Sequence, residues 1–477
     1  MIAAVKRLFK DSVVYGIANI IQKVTPLVII PIIIKQLGDV AFRIYDLSFV
    51  YAYLFSSLIV LGQDSAASVF YFEKEDKVHK RQVLSYSFLI QVCTVLGYLV
   101  FFYPFRFEVA RLVFGEDATQ AKYWIIAISI IPGYFMYNYG LNILLINRRK
   151  GLYVFFCFLQ ALLTIGGAYT AIVLLEGTIS HLFLVLIGSM SVCGVSLIIL
   201  LRKEIFEKLF PVNFDLLQKL FIFGFPFALT SFFRQVIPSV DRFFLLKYNY
   251  ALELPQYILA VKLGSFINIA FASFALAFTP YSLSKIHDKD AEQEISHIFH
   301  LVSILALTFI PIVLIFKDWM ILFFADPGYG LAGSLLPIFL FGWVFDLFTN
   351  FALLGIYRSK KSFFILTLLV TGTILISILN VFLVPLYGVF GAAISFGITK
   401  LASFIVAVIY LRKHFKLNID LGRSAAVLFL SLLCCYLNYT MSGYLYLFIL
   451  FLVVSGISYY VYKFLRRHQL EGYFSIK

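Results

Sequence analysis

Fourteen apolar stretches run along this chain from end to end, separated by short polar connections. A helix needs about 20 apolar residues to cross the hydrocarbon core of a bilayer, and most of the stretches approach or exceed that length. Strands of a membrane barrel would instead show as segments of roughly ten residues with alternating polarity. The expected fold class is therefore all-α: a polytopic membrane protein with about 14 transmembrane helices. The spans fall near residues 12–34, 44–62, 83–103, 123–146, 152–175 and 179–201, then 220–246, 254–282, 298–324, 331–357, 363–384 and 389–411. Two more, at 424–440 and 444–465, follow.

The 39 Lys and Arg residues are sorted by side. Twenty-seven share a side with both termini, and seven (Lys35, Arg43, Arg106, Arg111, Lys122, Lys247 and Lys317) lie opposite. The remaining five, Lys23, Arg234, Arg242, Lys262 and Lys400, fall inside spans. Positive loops stay cytoplasmic, so both termini are expected in the cytoplasm. The net charge of +14 then needs no nucleic acid, because anionic lipid headgroups attract the same loops. A hydrophobic content of 62% with 13% charged residues excludes an ordinary soluble domain. The five cysteines (Cys93, Cys157, Cys193, Cys434 and Cys435) all lie in spans and read as small packing residues. The basic N-terminal segment leads into a full-length span without a small-residue cleavage site and reads as an uncleaved first helix.

Five ordered landmarks repeat at offsets of 208 to 212 residues. Tyr15-Gly16 answers Phe223-Gly224, and Ile44-Tyr45 answers Gln256-Tyr257. Leu112-Val113-Phe114-Gly115 matches Leu322-Phe323-Phe324-Ala325, Arg149-Lys150 matches Lys360-Lys361, and Leu201-Arg202-Lys203 matches Leu411-Arg412-Lys413. Six helices per repeat bring both halves into the membrane in the same sense. That is the parallel-repeat plan of transporters, with a substrate site between two lobes near the midplane. The expected organisation is an N-terminal lobe at 1–201, a cytoplasmic linker at 202–219 lying partly in the interface, a C-terminal lobe at 220–416, and two added spans with a short tail at 417–477.

Charge inside the spans is where chemistry is expected. A Lys or Arg at the bilayer centre costs about 2.5–3.5 kcal/mol on insertion scales. Lys23 shares one helical face with Tyr15, Asn19, Gln22 and Pro26, and such a stripe must meet protein or water. Asp241 beside Arg242 reads as a local structural ion pair, with a substrate contact as the alternative. Arg234, Lys262 and Lys400 have no carboxylate within a turn. Asp346, with Asn350 one turn on, is the one deep carboxylate, while Asp46 and Asp64 are expected near the ends of span two, within reach of water.

Two readings of this surplus stand. Either each cation snorkels or pairs for packing alone, or Lys23, Arg234, Lys262 and Lys400 line a watery cavity that receives an anion. Phosphate or pyrophosphate suits Lys as a point charge and Arg as a bidentate fork. Asn138, Asn142 and Asn380 offer neutral hydrogen bonds, to sugar hydroxyls or for packing. Asp346, Asn350, Asn19, Gln22, Asn138 and Asn142 are thus candidate polar or ion-coupling residues. There is no P-loop, GxSxG or HExxH, and His297 with His300 forms only a lone HxxH. No catalytic residue, metal or cofactor is expected.

Short motifs carry a family resemblance. Gly224-Phe225-Pro226 is followed after fifteen residues by Asp241-Arg242, and Gln256-Tyr257-Ile258-Leu259-Ala260 leads span eight. Leu61-Gly62 precedes Ala66-Ala67, and Phe114-Gly115 and Phe324-Ala325 approach spans four and ten. In these the chain resembles the bacterial polysaccharide flippases, of O-antigen type, of the multidrug/oligosaccharidyl-lipid/polysaccharide exporter superfamily. The resemblance implies two six-helix lobes around a cleft that opens alternately to each side, and a transporter rather than an enzyme. It implies an undecaprenyl-pyrophosphate-linked oligosaccharide as substrate and a cavity lined by basic residues, where Lys23, Arg234, Lys262 and Lys400 hold plausible positions. The setting it implies is the bacterial inner membrane. The expected partners are membrane lipids and a polysaccharide polymerase, with no nucleic acid, and the chain is expected to be a monomer. Two alternatives make different demands. A drug or cation antiporter of the same superfamily needs deep carboxylates in the N-terminal lobe. A membrane polymerase or acyltransferase needs a sizeable external loop or a buried His/Asp cluster.

Overall fold

A computed structural model of the chain describes residues 2–114, 121–206, 213–271, 291–353, 363–414 and Gly456. Among these residues every regular element is a helix. In chain order they are α1 (Ile2–Val60), α2 (Gln63–Tyr71), α3 (Lys77–Phe102), α4 (Arg106–Phe114), α5 (Ala121–Ile128), α6 (Ile131–Ile146) and α7 (Lys150–Tyr169). After a π-helical turn at Thr170–Leu174 come α8 (Ile179–Leu200), α9 (Arg202–Ile205), α10 (Phe214–Lys247), α11 (Leu254–Gly264), α12 (Ala291–Phe324), α13 (Gly330–Ala352) and α14 (Phe363–His414). The expected spans 424–440 and 444–465, with Cys434 and Cys435, lie outside the described residues, as do Gly115, Lys285, Lys289, Arg358, Lys360 and Lys361.

Nine helical segments among the described residues are long and apolar enough to cross a membrane. Two of them, Gly16–Tyr71 and Phe363–Lys413, each hold two of the expected spans joined at a kink. The chain is an all-α polytopic membrane protein. The kinks fall at Gly38 (φ 78) and Gly388 (φ 56), where a missing Cβ makes the left-handed region accessible. Asn249 (φ 66) and Glu176 (φ 50) make the corresponding turns after α10 and before α8. Gly38 and Asn249 are 211 residues apart, and Glu176 and Gly388 are 212 apart. The sequence repeat thus recurs as a repeat of backbone conformation.

The membrane setting shows in how each helix distributes its residues. In α7 the exposed face carries Phe155, Phe158 and Leu162, while Cys157, Gln160, Ala161 and Thr164 are buried. Lipid satisfies any apolar side chain, but a polar group at depth needs a protein partner. Gln160 Nε2 accordingly donates to Thr164 Oγ1, which donates to Ser189 Oγ of α8, each at 2.9 Å.

Two compact units divide the described residues: Met1–Ile258 with Ile365–Ala392, and Leu259–Phe364 with Ala393–Lys477. In this division α10 and the first half of α14 group with the N-terminal helices. Packing explains the assignment of α10. The second half of α1 and the start of α2 run against it, with Tyr51 Oη of α1 donating to the Ser239 carbonyl at 3.3 Å and Gln63 Nε2 of α2 to the Leu220 carbonyl at 3.2 Å. At the far end Gly62 and Gly224 approach so closely that a Cβ on Gly62 would strike the Gly224 carbonyl, and one on Gly224 the Leu61 carbonyl. Helix α10 also begins at Phe214, earlier than the expected 220, because the Asn213 side chain caps it by accepting from the Leu216 N–H at 3.2 Å.

Candidate functional site

The charged side chains of the spans fall into three environments. The first is a buried network in unit one, drawn from α1, α10, α11 and α14. Asp46 is 1% exposed and Arg242 2%. Arg242 Nε donates to Asp46 Oδ2 at 3.0 Å, and its Nη1 donates to the Pro238 carbonyl at 2.7 Å. The neighbouring Asp241 accepts from Tyr257 Oη and Asn380 Nδ2, both at 2.8 Å. The sequence suggests a pair of neighbours, Asp241 with Arg242; the structure embeds both in a larger network and directs Arg242 to Asp46. Asp46 is not at the water-accessible position expected for it. A buried guanidinium needs a carboxylate close by, and α1 supplies one from 196 residues away in sequence. Asn380 is fully buried and committed to Asp241.

The second environment lies in unit two. Lys400 Nζ meets Asp346 Oδ1 at 2.6 Å and stands 5.6 Å from the Trp343 ring centroid and 5.5 Å from that of Phe396. Both aromatic faces favour a cation there. Asn350 donates its side-chain amide to the Asp346 main-chain carbonyl at 3.0 Å. The sequence places no carboxylate within a turn of Lys400; the fold brings one from 54 residues away. Lys262 is half-buried in the same unit, and its carbonyl accepts from Ser265 Oγ at 2.7 Å.

Lys23 of α1 and Arg234 of α10, both in unit one, form the third environment. Each is exposed, and neither has a hydrogen-bond or ion-pair partner among the described residues. They are 211 residues apart, the offset of the repeat, and each precedes an in-helix proline, Pro26 and Pro238. With offsets of 208 to 212 across the repeat, the two cations hold similar places in spans one and seven, within about a turn of each other.

Gln22, Asn138 and Asn142 come together around one cavity of unit one, of about 250 Å³, while Asn19 on α1 is half-buried. Asp64 and Gln91 border the same cavity. Gln91 escapes a charge-based reading, because a lone amide in an apolar span carries no local mark of function. Cys157 and Cys193 are buried, and Cys93 is exposed.

No family model matches the sequence, and no curated protein matches it. Solved structures do. A multidrug resistance MATE family transporter of the MOP superfamily, in its inward-facing conformation, aligns with a TM-score of 0.72 at 14% identity, over 85% of this chain and 95% of that one. The lipid II flippase MurJ, in an inward closed conformation, aligns with a TM-score of 0.71 at 17% identity, over 96% of this chain and 100% of that one. A MOP superfamily transporter from Pyrococcus furiosus, described as having a binding pocket of reverse polarity, gives 0.65 at 15% identity, over 88% and 96%. Across nearly its whole length, this chain has the fold of those MOP superfamily transporters.

Proposed function

We propose that the chain is a transporter that flips undecaprenyl-pyrophosphate-linked oligosaccharide units across the bacterial inner membrane, from the cytoplasmic leaflet outward, for cell-surface polysaccharide synthesis. One observation carries this reading: the uncommitted charge inside the spans is positive. Asp46, Asp241 and Asp346 each accept from a protein donor, whereas Lys23 and Arg234 have no such partner among the described residues. At membrane depth a cation left without a protein partner calls for water or an anionic ligand. A pyrophosphate supplies the anion, Lys23 acting as a point charge and Arg234 as a fork. Lys262 and Lys400 keep a secondary role, Lys400 being neutralised by Asp346. The lipid tail stays in the bilayer, so only the polar head needs to be shielded.

A second reading, a drug or cation antiporter, is supported by the fold shared with the MATE transporter. It needs an available deep carboxylate in the N-terminal spans, and there the buried Asp46 is bound by Arg242. Purified protein in proteoliposomes separates the two. Protein-dependent transfer of a fluorescent undecaprenyl-pyrophosphate oligosaccharide between leaflets, without proton-coupled exchange of a cationic dye, is the expected result. Dye exchange without lipid transfer sinks the flippase reading. Reporter fusions test the orientation: positions after Lys150 and Lys219 are expected to report the cytoplasm, and Gly177 and Tyr387 the outside.

A further inference from the structure

The cavity of about 250 Å³ in unit one has room for roughly eight waters at their liquid volume. Eight of its lining side chains carry polar groups: Gln22, Asp64, Gln91, Asn138, Asn142 and the phenols of Tyr134, Tyr139 and Tyr153. Neither Lys nor Arg borders it among the described residues, and Asp64 would repel an anion, so pyrophosphate does not fit. Gln91 is 3% exposed, yet its amide has no hydrogen-bond partner among the described residues. An amide that borders the cavity with no protein partner leaves both its donor and its acceptor available to a hydrogen-bonding ligand.

The neighbouring amides are half committed. Gln22 Nε2 donates to Tyr137 Oη at 3.3 Å, Asn138 Nδ2 to the Tyr134 carbonyl at 2.8 Å, and Asn142 Nδ2 to the Asp64 carbonyl at 3.4 Å. Their carbonyl oxygens have no donor among the described residues. Unused acceptors, a two-sided amide and the Tyr134 phenol match a ligand whose groups both donate and accept. A simple cation would find a single carboxylate here; a neutral polyhydroxylated ring finds a partner for several of its hydroxyls.

We propose that this cavity is a monosaccharide subsite that receives one neutral sugar of the lipid-linked substrate, a proposal that rests on the flippase reading. Gln22 adjoins Lys23 in sequence, so the helix that offers a cation to the pyrophosphate also presents the first amide to the glycan.

The test uses the full-length protein in micelles and three probes: undecaprenyl pyrophosphate, the same lipid bearing one neutral hexose, and a free methyl hexoside. The hexosyl lipid is expected to bind roughly tenfold more tightly than the bare lipid, as a few neutral hydrogen bonds allow. Gln91→Met, which keeps the shape, and Asn138→Leu should erase that advantage and leave the bare lipid's affinity unchanged, at unaltered melting temperature. Equal wild-type affinity for the two lipids, or an advantage that survives in Gln91→Met and Asn138→Leu, overturns the subsite and leaves the pyrophosphate reading standing. If neither lipid binds but the hexoside gives a Gln91-dependent saturation-transfer signal, the subsite stands and the flippase reading falls. Silence from all three probes overturns both.

Discussion

Helix α10 carries two arginines eight residues apart, and they live in opposite circumstances. Arg242 is 2% exposed and holds Asp46 and the Pro238 carbonyl. Arg234, two turns earlier, is exposed without a partner among the described residues. Each charge would be expensive in hydrocarbon. The first is neutralised permanently by another helix; the second is left for something that arrives. Identical chemistry on one helix thus serves cohesion in one place and recognition in the other, and packing makes the distinction.

The largest expected effect is on the buried side. Arg242→Ala strands a buried Asp46, and breaking a buried pair costs about 3–5 kcal/mol. Membrane abundance and melting temperature should both fall sharply, with partial recovery in the Asp46→Ala/Arg242→Ala double variant. If the single variant is as abundant as wild type, the division between the two arginines fails. Lys23→Ala and Arg234→Ala should do the reverse, leaving abundance and melting temperature near wild type while lowering transport per molecule. A large fall in abundance for either would make it structural.

Lys400→Ala falls between. Its pair with Asp346 is only partly buried, at 13% and 27% side-chain exposure, and such pairs contribute less than enclosed ones. A modest loss in both melting temperature and transport is expected, and an unchanged melting temperature would move Lys400 into the company of Lys23. The smallest effect is expected at Asp76, whose exposed carboxylate caps α3 by accepting from the His79 and Val78 N–H groups at 3.1 and 3.2 Å. Those hydrogen bonds hold its carboxyl below the ordinary carboxylate range. A lowered folded value means the cap contributes above the unfolded value and is lost as pH falls through the folded one. Hydrogen exchange in the first turn of α3 should therefore quicken at acid pH in wild type and be fast at every pH in Asp76→Ala.

Much of the fold was legible because lipid imposes a one-dimensional rule: twenty apolar residues, then a polar connection. The repeat was legible too, although the matching turns at Gly38 and Asn249 came only with the backbone. What escaped was pairing over distance. Nothing around Asp46 announces a partner near residue 242, and nothing around Lys400 announces Asp346. A cation inside a span can be recognised from sequence, but whether the fold has already given it a counter-charge cannot. Of the four cavity cations expected, the fold leaves Lys23 and Arg234 uncommitted among the described residues and pairs Lys400. The amides at 22, 138 and 142 were visible as polar residues on apolar helices. Their convergence with Gln91 on one cavity was not, since it depends on how α1, α3 and α6 pack.

The central claim is that the uncommitted cations receive an anionic head group. Its most direct test is a titration of purified wild-type, Lys23→Ala and Arg234→Ala proteins with sugar-free undecaprenyl pyrophosphate. A charge-assisted hydrogen bond contributes about 1.5–3 kcal/mol. Each alanine variant should therefore bind roughly tenfold or more weakly, Lys23→Arg and Arg234→Lys should recover part of the loss, and Lys23→Glu should bind less than Lys23→Ala. Affinities indistinguishable from wild type in both alanine variants would contradict the account.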